Sequence, residues 1–243
     1  MSIPTQKARV VAVRGIAPEV WECALAPLAT PIHFHPGQWI SLHLPLGERP
    51  PLIRAYSLAE PESPSGELVL CFDHVAGGLG SSYLSALAGG EELTLAGPFG
   101  HFGAPDPMPE RLVLAGRFTG IVPLRCLLRK LFRDAATSTT APEILLVNGA
   151  DRAEHLLYHE EFSALALRTP RIRYMATAPG GGPGLDARPE VDILREALVA
   201  EGWGERRFVP LVSGLKAFVR PVRAFFVEEM GFERRDVRCE TYD

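Results

Sequence analysis

The sequence predicts two domains: an N-terminal antiparallel Greek-key β-barrel over residues 1–105 and a C-terminal α/β domain with a parallel sheet over residues 110–243. The first part is filled by short strands that Pro and Gly turns separate, which is typical of a barrel. In the second part, apolar strands alternate with helices, as in a parallel sheet that is covered on both faces. Between them, Gly103–Pro109 holds three prolines in seven residues and predicts a linker.

The strands predicted for the first domain are short, and several alternate apolar and polar residues. One short helix is expected over Ser81–Ala88, with Ser81 or Ser82 as its N-terminal cap. The predicted strands are Val10–Val13, Trp21–Leu25, Gln38–Leu44, Arg54–Leu58, Glu67–Val75 and Glu92–Ala96.

The second domain is predicted to alternate strand and helix, and parallel sheets of this kind bind ligands at the carboxyl ends of their strands. The predicted strands are Leu112–Ala115, Ile144–Val147, Ile172–Ala176, Phe208–Val212 and Val237–Glu240. The predicted helices are Pro123–Phe132, His159–Leu167, Glu190–Glu201 and Lys216–Met230.

Composition excludes several classes of protein. A net charge of −4 gives no electrostatic case for nucleic acid, which would need a basic face. No apolar run approaches the ~20 residues that a membrane span needs, and Met1–Arg9 lacks the apolar core of a secretion signal. We therefore expect a cytoplasmic protein without membrane insertion. The four cysteines are far apart in the sequence and predict neither a zinc site nor an iron–sulfur cluster, so any electron carrier would be organic.

A first candidate motif is Arg54-Ala55-Tyr56-Ser57, in a predicted strand. Arginine can bind a phosphate through two parallel hydrogen bonds. On the same strand face Tyr56 offers a flat ring and a hydroxyl, while Ser57 points to the other face and can donate one hydrogen bond. These groups suit a flavin nucleotide, although an ordinary strand with one surface arginine explains the four residues equally well.

A second candidate motif runs from Gly77 to Leu84. Its glycines allow close approach of the backbone, and free amides at a helix N-terminus can bind an anion. A glycine-rich loop that leads into a helix is the simpler alternative for this motif alone.

Taken in order, these and later motifs resemble the ferredoxin–NADP reductase family of flavoproteins over the whole chain. No single motif is decisive, but their order and spacing across both domains are specific. They are Pro36-Gly37-Gln38, Arg54 with Tyr56-Ser57, Gly78 with Ser81 and Tyr83-Leu84, Gly97–Gly100, Thr119-Gly120-Ile121 with Pro123-Leu124, Asn148-Gly149 with Tyr158 and Glu161, Ser213–Lys216, and Cys239–Asp243.

The resemblance implies where a flavin would bind. Arg54 and Ser81 would hold its pyrophosphate, Tyr56 would lie against the isoalloxazine ring, and Ser57 would act as a catalytic residue near atom N5. The remaining residues assigned to the flavin by this resemblance are Ala55, Phe72, His74, Val75, Gly80, Ser82 and Tyr242. FAD is favoured over FMN, because Tyr242 and the Ser81 loop resemble FAD-type members.

The resemblance also implies where NADPH or NADH would bind. The turn from Gly116 to Pro123, with Thr119 and Gly120, would receive the pyrophosphate. The catalytic candidates Ser213 and Glu240, with Gly214, would lie at the nicotinamide. Thr177 and Arg188 are the candidates for the other end of the nucleotide.

The chain departs from the family pattern at the nucleotide. The usual Ala-Gly-Gly-Thr-Gly loop reads Ala-Gly-Arg117-Phe118-Thr-Gly, in which Arg117 could help to bind phosphate. Phenylalanine is costly where φ is positive. Serine replaces the family's cysteine at Ser213, and Asp151 stands where an arginine is frequent. The choice between NADPH and NADH therefore stays open.

The predicted function is electron transfer between NAD(P)H and a separate redox protein such as ferredoxin or flavodoxin. Two alternatives remain. The chain could be the reductase subunit of an oxygenase or another multi-protein complex, or a flavin-binding conduit that has lost pyridine-nucleotide use. Arg129, Lys130 and Arg133 form either a solvated helix face or a docking surface for an acidic partner.

Overall fold

The computed structural model describes residues 4–47, 51–133, 141–181, 185–203 and 207–242. Asp243, at the end of the last motif, lies outside these residues. The chain divides into two compact units. The barrel unit comprises Met1–His101 with Arg125–Lys130, and the sheet unit comprises Phe102–Leu124 with Leu131–Asp243.

The barrel unit contains six antiparallel strands in the order β4-β3-β6-β1-β2-β5. The two edges meet at a bridge between Leu58 and Leu70. Strands β3, β4 and β5 are consecutive and β6 returns beside β3, which is a Greek key. All six predicted strands are confirmed. Their bounds are β1 Gln6–Ala17, β2 Val20–Pro27, β3 Trp39–Leu44, β4 Leu52–Ser57, β5 Leu68–Asp73 and β6 Glu92–Phe99.

Alternation along these strands places one set of side chains inside the barrel. Along β3, for example, Ile40, Leu42 and Leu44 are fully buried. Each such side chain contributes about 1.5–3 kcal/mol relative to an exposed position. This core holds the strands in register. The register in turn determines which side chains of β4 lie on the outer surface of the barrel.

The sheet unit contains five strands that are all parallel, in the order β11-β10-β7-β8-β9. The predicted parallel α/β domain is confirmed. Its strands are β7 Arg111–Arg117, β8 Glu143–Gly149, β9 Ile172–Thr177, β10 Val209–Leu215 and β11 Arg238–Tyr242, and the helices in this part of the chain are α2 Val122–Leu131, α3 His159–Arg168, α4 Glu190–Ala200 and α5 Lys216–Ala224. Within α2, Arg125–Lys130 belong to the barrel unit.

Two predicted helices differ from those observed. Helix α1 covers Leu79–Ser85, and its N-terminal cap is Gly78 without a side-chain hydrogen bond. The prediction that Ser81 or Ser82 caps this helix was therefore wrong. The single helix predicted over Lys216–Met230 is α-helical only as α5, and Phe225–Glu229 forms a π-helical turn.

Candidate active site

Strand β4 presents Arg54 and Tyr56 on one face, because alternate residues of a strand share a face. Arg54 is exposed, and its guanidinium donates one hydrogen bond to the Ile53 carbonyl at 2.8 Å. The Tyr56 ring meets the edge of Phe72 at a centroid distance of 6.1 Å. Burial raises the pKa of the Tyr56 phenol to about 12, so this hydroxyl remains a neutral hydrogen-bond donor at physiological pH.

The start of α1 lies directly beside Arg54. A Cβ atom at Gly80 would come within 3.5 Å of Cγ of Arg54 and 3.2 Å of Cδ1 of Leu44. Glycine therefore lets the helix backbone approach the arginine stem. As a result, the guanidinium and the first turn of α1 border one patch of surface.

The segment that follows β5 is joined to α1 by two serines. The Ser81 hydroxyl accepts a hydrogen bond from the Val75 N–H at 3.1 Å and donates to the Gly78 carbonyl at 3.2 Å. Ser82 Oγ lies 3.2 Å from His74 Nε2 and also donates to the Gly78 carbonyl at 2.9 Å. These local bonds explain why neither serine acts as a helix cap, since both hydroxyls turn back toward Gly78.

The structure thus brings most of the predicted flavin residues of the barrel into pairwise contacts with one another. Ala55 and Ser57 lie on the other face of β4, where Ala55 is exposed and Ser57 is buried opposite Trp39. The residues connected by the contacts above are Arg54, Tyr56, Phe72, His74, Val75, Gly80, Ser81 and Ser82. An exposed guanidinium beside a half-buried phenol and a glycine-lined backbone is a donor set that fits a phosphate-bearing aromatic cofactor.

In the sheet unit, the loop after β7 lies flat across the carboxyl ends of β7 and β10. A Cβ atom at Gly120 would fall 2.2 Å from the Ser213 carbonyl oxygen and 2.6 Å from Cα of Gly214. A Cβ atom at Gly116 would lie 2.9 Å from Cα of Ile121. Only glycine permits these approaches, so the loop geometry depends on both positions.

The loop continues as a 3₁₀ turn over Phe118–Ile121 and then as helix α2. Thr119 lies half-buried within this turn. Pro123 is the second residue of α2, where a missing N–H costs no helical hydrogen bond. The helix therefore begins beside the loop, with its N-terminal amides at the edge where parallel sheets bind ligands.

Phe118 adopts a positive φ of 51°, as the unusual loop sequence suggested. Its ring packs against His155 with a centroid distance of 5.1 Å. The strained backbone is thus accompanied by a ring contact with the segment after β8.

Arg117 does not offer the free cation that its place in the sequence suggested. Its guanidinium forms ion pairs with Glu190 at the start of α4 and with Asp151 after β8. Glu190 is only 6% exposed, and a Cβ atom at Gly149 would collide with its carboxylate. Sequence reasoning treated Glu190 only as the start of a helix. A carboxylate in a first helical turn, with glycine ending a neighbouring strand, was the available signal.

The nicotinamide-side candidates lie together on β10 and β11. Ser213 is fully buried, its hydroxyl is 3.2 Å from the Tyr242 hydroxyl, and it faces Glu240 in the strand register. Burial raises the pKa of the Glu240 carboxyl. Gly214 has a φ of 151° and leaves room for the ring of Phe218, whose Cδ1 would lie 3.1 Å from an added Cβ.

Thr177 and Arg188 meet at the end of β9. The Thr177 hydroxyl donates to the Arg188 carbonyl at 2.7 Å. The Arg188 side chain is held by Asp186 and Glu196, and it lowers the pKa of Asp186 to about 2. Arg188 is therefore placed at the predicted edge, but its charge is already paired.

In the parts of the chain that the structure describes, no group of three or more His, Cys, Asp or Glu side chains could hold a metal ion. Within the same residues, no helix combines the length and the apolar character that a bilayer crossing requires.

The chain matches two domain models in order. Residues 19–103 match the oxidoreductase FAD-binding domain and residues 112–223 match the oxidoreductase NAD-binding domain. The two matched ranges fall on the barrel strands and on the parallel sheet, respectively. The chain is therefore an oxidoreductase that carries a domain for FAD and a domain for a nicotinamide nucleotide.

Individual relatives agree with these domains. The chain is 35% identical to a ferredoxin–NADP reductase B of Sorangium cellulosum over 248 residues, which covers 98% of this chain and 97% of the relative. It is 30% identical to the ferredoxin–NAD(+) reductase component of the alkene monooxygenase system of Xanthobacter autotrophicus, covering 70% of this chain and 50% of that protein.

Among solved structures, a cytochrome P450 reductase of Amycolatopsis superposes with a TM-score of 0.81 at 25% identity, covering 99% of this chain and 71% of that one. The fold therefore agrees with this structure along the chain. The order of the two matched domains and the relative covered over its full length point to the same family. On this evidence, the chain belongs to the ferredoxin–NADP reductase family of flavin-dependent oxidoreductases.

Proposed function

We propose that this protein transfers electrons between NADH or NADPH and a separate redox protein, such as a ferredoxin or a flavodoxin, through one bound FAD. The observation that carries the proposal is a pair of contacts on the barrel, in which Arg54 lies beside Gly80 and Tyr56 lies against Phe72. The full-length relative named a ferredoxin–NADP reductase supports it.

The barrel residues would bind and orient the cofactor. The exposed Arg54 guanidinium would pair with the pyrophosphate, and the backbone at Gly80 and Ser81 would allow it to lie close to the helix. Tyr56 would present its ring and its neutral hydroxyl to the flavin ring. Bound FAD supplies the ability to take two electrons from a nicotinamide and release them singly, chemistry that belongs to the cofactor.

The sheet residues would bind the nicotinamide nucleotide. The loop from Gly116 to Pro123 would receive its pyrophosphate at the start of α2. The buried Ser213 and the half-buried Glu240 would face the nicotinamide from β10 and β11. Because burial keeps the pKa of Glu240 high, this side chain holds a proton more readily than an exposed glutamate does.

The remaining parts of the proposal come from the sequence. We assign FAD to residues 1–105 and the nucleotide to residues 110–243, and a cytoplasmic location stays a prediction. The likeness to the alkene monooxygenase component, of which the chain spans half, keeps an oxygenase system as a second candidate partner. Transfer to a generic ferredoxin without further subunits would favour the first candidate.

The test is an anaerobic titration of the purified, FAD-loaded protein. Loss of the flavin absorbance band on addition of NADH or NADPH, and its return on addition of oxidised ferredoxin, is the expected result. A protein that binds no FAD, or whose flavin neither donor bleaches, would overturn the proposal.

A matched pair of variants tests the assignment of Arg54 to FAD binding. Arg54→Leu should weaken FAD binding about tenfold or more, since a charge-assisted hydrogen bond contributes about 1.5–3 kcal/mol. Arg9→Leu, which removes another exposed arginine from the barrel, should leave FAD binding unchanged. Equal affinities for FAD in the two variants would contradict the assignment of Arg54.

A further inference from the structure

We propose that this protein uses NADH in preference to NADPH, because the arginines at the adenosine side of the nucleotide edge are already paired with carboxylates. The inference rests on the proposed function and names its donor. NADPH differs from NADH by a phosphate on the ribose 2′ position. Sites for NADPH place an arginine there, whereas sites for NADH place a carboxylate that accepts a hydrogen bond from the ribose 2′-hydroxyl.

The strand order decides which end of the sheet faces the adenosine ribose. The pyrophosphate is assigned to the loop after β7, and the nicotinamide to Ser213 and Glu240 on β10 and β11. Since β8 and β9 lie on the opposite side of β7, the adenosine half of the donor would extend over their carboxyl ends. The residues that end β7, β8 and β9 would therefore contact the ribose 2′ position and distinguish NADPH from NADH.

Arg117 ends β7, and it is held from two sides. Glu190 and Asp151 both pair with its guanidinium. The Glu190 side chain is 8% exposed, so Arg117 cannot leave without stranding a buried carboxylate. This cation therefore stabilises the loop and the start of α4, and is not available to a phosphate.

The other two arginines at this edge also pair with carboxylates, although their side chains are 49% and 62% exposed. Arg188, which the Thr177 hydroxyl positions at the end of β9, contacts Asp186 and Glu196. Arg152, which follows β8, pairs with Glu154. Residues 182–184, outside the described part of the chain, are Gly-Pro-Gly in the sequence and add no charge.

The edge consequently holds three guanidinium groups and five carboxylates: Asp151, Glu154, Asp186, Glu190 and Glu196. The Asp151 side chain is 86% exposed, which leaves its carboxylate accessible to a hydroxyl donor. A dianionic 2′-phosphate would meet excess negative charge, whereas a 2′-hydroxyl would meet acceptors. Repulsion between exposed charges weakens as salt screens it, so the preference should be largest at low ionic strength.

The experiment compares nucleotides that lack the nicotinamide, so that its outcome does not depend on electron transfer. Calorimetry at low ionic strength with the FAD-loaded protein should show that 5′-AMP binds at least tenfold more tightly than 2′,5′-ADP, from which it differs only by the 2′-phosphate. Stopped-flow reduction should show the same preference for NADH over NADPH. Tighter binding of 2′,5′-ADP, or faster bleaching by NADPH, would overturn the inference.

Two variants separate the cause from general damage. Asp186→Asn combined with Glu196→Gln releases Arg188 and should reduce the preference for 5′-AMP over 2′,5′-ADP several-fold. Glu229 lies in the π-helical turn after α5 and pairs with Arg195 of α4. Glu229→Gln removes this carboxylate and should leave the preference unchanged. An unchanged preference in the double variant would overturn the role of Arg188. Failure of both donors to bleach the flavin would refute the proposed function. The comparison of 5′-AMP with 2′,5′-ADP would still decide the donor class.

Discussion

The hydroxyl of Ser213 lies 3.2 Å from the hydroxyl of Tyr242, which joins the carboxyl ends of two neighbouring parallel strands. Ser213 is fully buried, whereas Tyr242 is partly exposed. Water can replace the lost partner at Tyr242 but not at Ser213. The two ends of this hydrogen bond should therefore respond differently to mutation.

We expect Tyr242→Phe to lower the free energy of unfolding by about 1–2 kcal/mol, because the buried Ser213 hydroxyl loses this partner. Ser213→Ala should cost less than Tyr242→Phe, since water can solvate the remaining phenol. Urea unfolding measures both, and the FAD affinity of each variant, measured separately, corrects for the stability that bound FAD adds. In the double variant the cost should be smaller than the sum of the two. Strict additivity would show that the contact contributes nothing.

A second prediction concerns pH. Burial raises the pKa of Glu240 above its ordinary value of 4.5, so the folded protein binds this proton more tightly than the unfolded chain. Stability from this group is complete below the unfolded pKa and is lost as pH rises through the folded pKa. Glu240→Gln should therefore be more stable than the native protein at pH 7 and lose that advantage near pH 4.

Thermal unfolding of the native protein and the variant at the two pH values measures this effect. Glu233→Gln, which removes an exposed carboxylate of the same unit, serves as the control. A Glu240→Gln variant that is less stable at pH 7 and at pH 4 alike would contradict the sign of the shift.

The sequence was sufficient to predict the order of strands and helices, because alternation and apolar runs are local signals. It also predicted that Arg54 and Tyr56 share one face of a strand, since they are two residues apart. The helix cap was wrong because a serine near a helix start has two options. Ser81 uses its hydroxyl to hold Val75 and Gly78, and that choice depends on a turn that the pattern does not show.

The pairing of Arg117 was beyond reach for a different reason. Its partner Glu190 is 73 positions away in the chain. The two residues meet because the fold places the end of β7 beside the start of α4. Ion pairs of this range leave no periodic trace in one sequence. The loop sequence showed that Arg117 is unusual, but only the fold shows which carboxylates pair with it.

A third prediction uses the backbone of Phe118. Its φ of 51° lies in the left-handed region, which asparagine adopts readily and β-branched residues resist. Phe118→Asn and Phe118→Val both lose the ring contact with His155. Since they share this loss, the valine variant should be less stable by about 1 kcal/mol because of backbone strain alone.

Denaturant unfolding of the two variants side by side tests this difference. Equal stabilities would mean that the loop relaxes to a negative φ when the ring is removed. In that case the loop conformation would be set by ring packing and not by the glycines at either end of it.

The final prediction concerns a buried arginine of the barrel unit. The Arg125 side chain is 4% exposed, lies 2.9 Å from a Glu60 oxygen and 3.6 Å from a Glu22 oxygen, and donates to the Ala59 carbonyl at 3.0 Å. Glu22 is only 3% exposed. Glu22 also pairs with Arg14, whose side chain is 69% exposed, so Arg125→Met would leave the buried carboxylate with this one cation. We expect a loss of about 2 kcal/mol, because Glu60 and the Ala59 carbonyl lose a charged hydrogen-bond partner.

Arg129 provides the matched control, because it lies one turn farther along the same helix and pairs with the same Glu60. Its side chain is 43% exposed, so Arg129→Met should cost less than about 1 kcal/mol. Unfolding of the two variants in urea at one pH measures the difference. Adding Glu22→Gln to Arg125→Met should recover part of the loss, because it removes the buried charge. Similar costs for the two arginines, or no recovery in the double variant, would show that Arg125 acts through packing alone.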